Sequence, residues 1–540
     1  MASFSFPCFR ASARQNLGLF RYPLSCRAIY YRHQSNSTYS ATSSGERVKT
    51  IAEMPGLPSL PVFGSAPFLA LNRKGRPLGR FVLDKQFTDV ETYGKIFKFD
   101  VPGGFKIISV ADPDTAMAIL RNEPKYPKRF DIPLIDFYRE TRKKIPGVFF
   151  AEGSDWHKYR SVISKRILRP KEVADYVPEF DNIGSKFLER VENIRGKAGT
   201  DSEYEVENLD NELFKWSFES VAYMLFDKRF GTLEENVNPD VQAFIASVGG
   251  LLENFLPATL LPVFVYKVYE TEAYKNFVYH FDTMYEYAEK FIGERVQELE
   301  KEGKLDGDIQ DGERVDFFRF LLSSGKLTRD DLLASVIDLL FAGVDTTSNT
   351  MQWVFYTMGK HQDKQEKLYQ EIISVLQPGE LPSTKHIAKM PYLRAWLRET
   401  LRLYPVFPVL PRQVPEDIVI HGYHIPAHTN FNILFYYMGR DESNFKDPLQ
   451  FKPERWLRDE SHSTAEAMHA FASIPFGFGT RMCVGRRIAE LEMHLLMIKA
   501  LQRYIITYPH NDEIKPFMRG ITKPDRPARV RFTDRPGASS

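Results

Sequence analysis

The sequence predicts a mainly α-helical protein with a small β part, an α+β fold made as a single large helical domain. Three observations carry this. Helical periodicity dominates from about residue 112 onward. Strand signals are confined to residues 95–110 and 417–434. No internal repeat divides the 540 residues. With 43% hydrophobic and 26% charged residues the composition is that of a globular chain, and the core is ample. A net charge of +2 gives no reason to expect nucleic acid as a partner.

The first 45 residues read as an address rather than as structure. They hold Arg10, Arg14, Arg21, Arg27 and Arg32, no lysine, and no acid before Glu46. That is the composition of a mitochondrial presequence, cleaved somewhere within 30–46. No N-terminal stretch approaches the roughly 20 apolar residues that span a bilayer, so no transmembrane anchor is expected there. Without this segment the remainder is slightly acidic. Residues 46–64 follow, with Pro55, Pro58 and Pro61 stiffening a rigid hinge that excludes regular helix. The folded domain is then expected over 65–533.

Residues 95–110 suggest two strands joined across Pro102-Gly103-Gly104. Helices are predicted over 112–122, 154–168, 176–194, 207–226, 273–301, 328–359 and 363–376, and residues 301–314 are a charged surface loop. The helix from 328 has its own start signal, because Thr328 and Asp331 can cap each other's backbone N–H groups. At 1.5 Å per residue it is long enough, at roughly 48 Å, to cross the whole domain. Short strands return at 417–434. The tail from 524 is expected to fray, with 534–540 outside the domain.

Of the three cysteines, Cys8 and Cys26 lie in the presequence, so the body has Cys483 alone and no disulfide framework. Taken singly, Cys483 could be a small packed apolar residue. Its flanks say more. They read Phe476-Gly-Phe-Gly479-Thr-Arg481-Met-Cys483-Val-Gly485, followed by an amphipathic helix from Arg486 to about Tyr504. Glycines permit sharp bends and close approach. The helix N-terminus favours negative charge, hence thiolate over thiol. Arg481 offers a planar cation suited to a carboxylate.

This segment resembles F-x-x-G-x-R-x-C-x-G, the haem-binding loop of the cytochrome P450 family. Further matches stand in the family's order: Glu399-x-x-Arg402 on a helix, then Phe451-x-Pro-Glu-Arg455-Trp. The resemblance covers roughly residues 55–533 and implies a single large helical domain enclosing haem b, with Cys483 as the iron's thiolate ligand. It makes Glu399, Arg402 and Arg455 a structural cluster beneath the cofactor. It adds Arg481, Arg412, Trp156, Arg160 and Phe476 to the haem-binding residues. Residues 342–347, Ala-Gly-Val-Asp-Thr-Thr, match the family's oxygen-activation pattern. Gly343 would leave room for dioxygen, Thr346 would hydrogen-bond it, and Asp345 would relay protons. A glycine with two threonines inside a helix also predicts a local distortion.

The resemblance implies a monooxygenase, and the presequence points to the family's mitochondrial clan. Electrons would come from a [2Fe–2S] ferredoxin, reduced in turn by a ferredoxin reductase, and docked through Arg394, Arg398, Arg486 and Arg487. Arg394 and Arg398 share a helix face at i, i+4. Substrates are expected to be lipophilic, either steroid-, sterol- or secosteroid-like or xenobiotic, and lined by 130–150, 237–270, 405–411 and 517–523. The apolar stretch 251–266 suggests a peripheral contact with the matrix side of the inner membrane, or else a buried core helix. Two other readings stay open: a haem-thiolate isomerase or dehydratase that needs no electrons, and a non-catalytic haem-binding protein.

Overall fold

The computed structural model describes residues 47–102, 105–129, 132–304, 317–457 and 468–537. Residues 1–46, with Cys8, Cys26 and the segment expected to be a presequence, and most of the 301–314 loop lie outside the described residues. The first helices are α1 (Ala66–Asn72), α2 (Leu78–Tyr93), α3 (Pro113–Arg121), α4 (Pro133–Arg142), α5 (Gly153–Ile167) and α6 (Pro170–Ala174). Next come α7 (Val177–Ile194), α8 (Leu209–Phe226), α9 (Pro239–Ala258), α10 (Glu272–Lys301), α11 (Phe317–Ser323) and α12 (Arg329–Lys360). Then follow α13 (Gln362–Val375), α14 (Thr384–Ala388), α15 (Pro391–Leu403), α16 (Phe435–Met438) and α17 (Arg486–Arg503). Every helix predicted from periodicity is present to within about two residues, the ordinary uncertainty of helix ends.

The strands are β1 (Lys49–Thr50), β2 (Ile96–Val101), β3 (Phe105–Val110), β4 (Leu410–Gln413), β5 (Ile418–Ile420) and β6 (Tyr423–Ile425). They continue with β7 (Asn430–Ile433), β8 (Tyr504–Thr507), β9 (Pro516–Arg519), β10 (Ile521–Pro524) and β11 (Arg531–Asp534). The main sheet has the order β2-β3-β7-β4. Its hairpin β2–β3 is antiparallel in the register Ile96↔Val110, as the sequence suggested, and β7 joins β3 in parallel. The proline-rich segment is stitched onto two sheets: β1 pairs with β6, and Gly56 bridges Lys98 of β2 in the main sheet.

The long helix α12 forms the axis of the fold. Thr328 Oγ1 accepts from the Asp331 N–H at 3.1 Å, and Asp331 accepts from the Thr328 N–H at 2.8 Å, which is the reciprocal cap read from the sequence. From Val344 to Gly359 nearly every α12 side chain is buried. Helices α8, α15 and α17 pack around it, with Trp216, Trp353 and Trp396 filling the core.

Four expectations need correction. The chain beyond 524 does not fray at once. β11 pairs antiparallel with β8, and Arg535 donates to the Leu501 carbonyl at 2.7 Å. Helix α17 is not amphipathic beyond its first turns, because Leu491 to Ile498 are buried all round, Glu492 and His494 included. The 342–347 segment continues α12 without a break, and the Thr346 hydroxyl bonds back to the Ala342 carbonyl inside the helix. Helicity also begins earlier than 112, with α1 and α2.

Candidate functional site

The Cys483 loop is folded by its own backbone. Gly477 and Gly479 both stand at φ +74°, where a side chain would be strained. Gly479 has a second reason to be small: a Cβ there would lie 2.7 Å from Glu123 Oε2. The Cys483 N–H donates to the Phe476 carbonyl at 2.8 Å, which turns the sulfur toward the start of α17. No side chain caps α17, whose N-cap is Gly485. Burial raises the thiol's pKa, opposed by the Gly485 N–H and by the positive charges of Arg160 and Arg129. Cys483 nevertheless keeps open surface. Protein crowds Cys483 from behind, and the residue presents an open wall.

Four arginines surround that wall. Arg481, fully buried, donates to the Ala151 carbonyl at 2.9 Å and to Glu152 at 2.6 Å, and lies 4.6 Å over the Trp156 ring. Arg412, on β4, pairs with Glu123 and bonds the Pro411 carbonyl at 2.9 Å. Arg160, one turn of α5 beyond Trp156, has no hydrogen-bond or ion-pair partner among the described residues. The fourth, Arg129, is the residue that sequence reasoning missed. Burial together with Arg481 and Arg412 lowers it to about 9, and it bonds the Phe149 carbonyl at 2.9 Å. Arg160 falls to about 10, through burial first, with the neighbouring Arg481 adding to it.

This donor set fits a haem. Arg412 Nη2 and Arg481 Nε are buried without partners. Four guanidiniums face two glutamates, Glu123 and Glu152, whose carboxyls are raised because burial outweighs their arginine neighbours. The excess positive charge and unused N–H groups suit two propionate carboxylates. Cys483 supplies the soft axial ligand. Phe476 is half-buried, and Arg486 lies 5.5 Å over its ring.

On α12, Asp345 is buried with its Oδ2 unpartnered, and burial lifts it to about 7 against the opposing charge of Lys523. Thr346 is half-buried and donates to the Ala342 carbonyl at 2.8 Å. Gly343 has a role the sequence did not suggest. A Cβ there would meet Val221 of α8 at 2.9 Å, so its smallness is explained by close helix packing. Ser217 of α8 donates to the Gly343 carbonyl at 3.3 Å.

Glu399, Arg402 and Arg455 come together in the core. Arg402 binds both oxygens of Glu399 at 2.7 and 2.8 Å, and Arg455 adds a third bond at 3.0 Å. On the surface, Arg394 and Arg398 are exposed along α15, as are Arg486 and Arg487 at the start of α17. Arg398 feels both Arg394 and Arg486, so these three form a continuous basic patch. Arg486 is tied to Glu490 at 3.0 Å.

A family model described as Cytochrome P450 matches residues 54–532. The chain is 34% identical to the mitochondrial sterol 26-hydroxylase of Homo sapiens, over 79% of this chain and 80% of the relative. The Mus musculus sterol 26-hydroxylase is also 34% identical, over 91% and 90%. The mitochondrial 1,25-dihydroxyvitamin D(3) 24-hydroxylase of Rattus norvegicus is 30% identical, over 90% of each chain.

Proposed function

This chain belongs to the cytochrome P450 family, and on that premise we propose that it hydroxylates a sterol- or secosteroid-like lipid with electrons from a [2Fe–2S] ferredoxin. It is a haem-thiolate monooxygenase of the mitochondrial type. The observation that carries the reading is Cys483 beside four arginines whose buried donors are not all used.

The haem, when bound, supplies reductive activation of dioxygen and insertion of one oxygen atom into a C–H bond. The protein's residues do the rest. Cys483 holds the iron. Arg129, Arg160, Arg412 and Arg481 orient the carboxylates, with Trp156 supporting Arg481 and Phe476 shaping the loop. Thr346 positions the oxygen end of the site, and Asp345, titrating near neutrality, takes up and releases protons at its carboxyl. The retained Asp345–Thr346 pair favours this over a haem-thiolate isomerase or dehydratase that needs no electrons.

Residues 1–45 would direct the chain to mitochondria and be removed within 30–46. Arg394, Arg398, Arg486 and Arg487 would dock the ferredoxin, which a ferredoxin reductase recharges. The membrane contact would be shifted toward the C-terminal end of the apolar stretch 251–266 and just beyond it. Leu251, Leu252 and Tyr266 are buried, whereas Leu260, Phe264, Val268 and Tyr269 are exposed. That tip would rest on the matrix side of the inner membrane.

The test is reconstitution with ferredoxin, reductase and NADPH over a panel of sterols, secosteroids and xenobiotics. The expected result is a spin-state shift with a sterol or secosteroid and a hydroxylated product that requires ferredoxin. Arg394→Glu with Arg398→Glu should slow ferredoxin encounter about tenfold or more at low salt. Product formed equally well without ferredoxin, or no shift with any lipid in the panel, contradicts the reading.

A further inference from the structure

We propose that Lys523, reaching from β10, is the electrostatic partner of Asp345 and keeps that carboxyl exchangeable as a proton carrier. The inference rests on the role given to Asp345 above; Lys523 ends the 517–523 segment expected to line the substrate, but it lies in no motif.

The placement is set by the β9–β10 hairpin, paired in the register Ile521↔Arg519 through Pro524↔Pro516. Its turn is Gly520 at φ +72°, where a Cβ would lie 2.8 Å from the Leu252 side chain. The hairpin is thus tucked against α9, and β10 runs along α12. Ile521, Thr522 and Pro524 are buried, and the Thr522 N–H is fixed to the Val406 carbonyl at 2.8 Å. Lys523 is half-buried between them, with no hydrogen-bond or ion-pair partner among the described residues. Asp345 is buried on α12, and its Oδ2 has no partner.

A cation without a side-chain partner and a carboxyl with one oxygen unpartnered therefore lie on adjoining elements, β10 and α12. Each is the leading influence opposing the other's burial. Other charges do not replace this pairing. Arg519 repels Lys523, but it is itself tied to Glu253 of α9 at 3.1 Å. Glu253 and then Asp210, at the start of α8, attract Lys523 more weakly than Asp345 does. On α12 itself the uncharged Asn349 side chain also favours the Asp345 carboxylate, after Lys523. From α17, Glu492 lies beside Thr347 and Ser220 instead.

The physical consequence follows from burial. A carboxyl alone inside an apolar core holds its proton well above neutral pH. A carrier must both lose and regain the proton under working conditions. The field of Lys523 stabilises the carboxylate and brings the two states into balance. Lys523 touches neither substrate nor the reacting oxygen in this account; it is a positioning residue that acts through Asp345.

The decisive readout is the Asp345 carboxyl itself. An infrared difference band lost in Asp345→Asn identifies it, and titration of the haem-loaded enzyme follows it. The wild-type midpoint is expected at about 7. Lys523→Met should raise it by about one pH unit or more, the size a close opposite charge imparts, and Lys523→Arg should restore it. The pH profile of coupling, measured as product per NADPH, should move with the band. A band unmoved in Lys523→Met overturns the proposal while leaving Asp345 its role. A Lys523→Met protein that fails to fold while Lys523→Arg titrates away from the wild-type midpoint overturns it as well. Unchanged coupling in Asp345→Asn removes the role of Asp345, and this inference with it.

Discussion

Two clusters of buried arginine invite comparison. Around Glu399, every connection is made. Arg402 reaches both carboxylate oxygens and the Pro448 and Gln450 carbonyls, and Arg455 reaches Glu399, the Lys446 carbonyl and the Asp447 carbonyl. Trp456 Nε1 and the Lys452 N–H complete Glu399 at 2.9 Å each. Around Cys483, by contrast, Arg412 Nη2 and Arg481 Nε are buried and idle, and Arg160 has no partner among the described residues. A buried charge without full partners is costly. The saturated cluster is a brace for the fold. The unsaturated one is suited to receive something charged.

The comparison breaks most sharply at Glu399. Glu399→Ala leaves two guanidiniums buried without their carboxylate, and should cost about 3–5 kcal/mol. Thermal unfolding and soluble yield measure this, and both should fall whether or not haem is supplied. A variant of near-wild-type stability would show the brace to be dispensable.

At the second cluster the expected effect is smaller and of another kind. Arg412→Ala should weaken haem retention by about 1.5–3 kcal/mol, the worth of a charge-assisted hydrogen bond. Arg160→Ala should weaken it too, while leaving the fold's melting behaviour unchanged, since Arg160 supports no other described residue. Haem dissociation to an apo-globin acceptor reads this. Equal retention in both variants would make these arginines ordinary structural residues.

Glu492 sharpens the comparison, being neither braced nor directed at a ligand. The hydroxyls of Thr347 and Ser220 lie beside it and favour its charge, but burial dominates and lifts it to about 8, while Oε2 has no partner. In the unfolded chain this carboxyl ionises near 4.5. Between those values the folded state holds a proton that the unfolded state has shed, so stability declines as pH rises from about 4.5 to 8. Glu492→Gln should flatten that part of the stability–pH curve, measured by denaturant midpoints at pH 5, 7 and 8.5. A curve of unchanged slope would place the ionisation elsewhere.

What the sequence made legible follows the same division. The Cys483 loop is contiguous, so its glycines, Arg481 and the helix behind it can be read directly. The cap of α12 needs only Thr328 and Asp331, three residues apart. Glu399 and Arg455 are distant in sequence, but each lies in a recognisable motif. Arg129, Glu123, Glu152 and Lys523 sit in no motif; they reach the site only through long-range packing of loops, β4 and β10. Helix α2 escaped notice because its apolar stripe is weak, and α9 because it is apolar on nearly every side. Gly343 was legible as a special position, but the approach of Val221 to it was not.

The account depends most on sulfur–iron ligation, and the reduced enzyme under carbon monoxide tests it directly. The wild-type protein should show the red-shifted Soret band of thiolate ligation, and Cys483→Ala should lose that band. A wild-type spectrum without it, or a Cys483→Ala spectrum that keeps it, contradicts the assignment of Cys483.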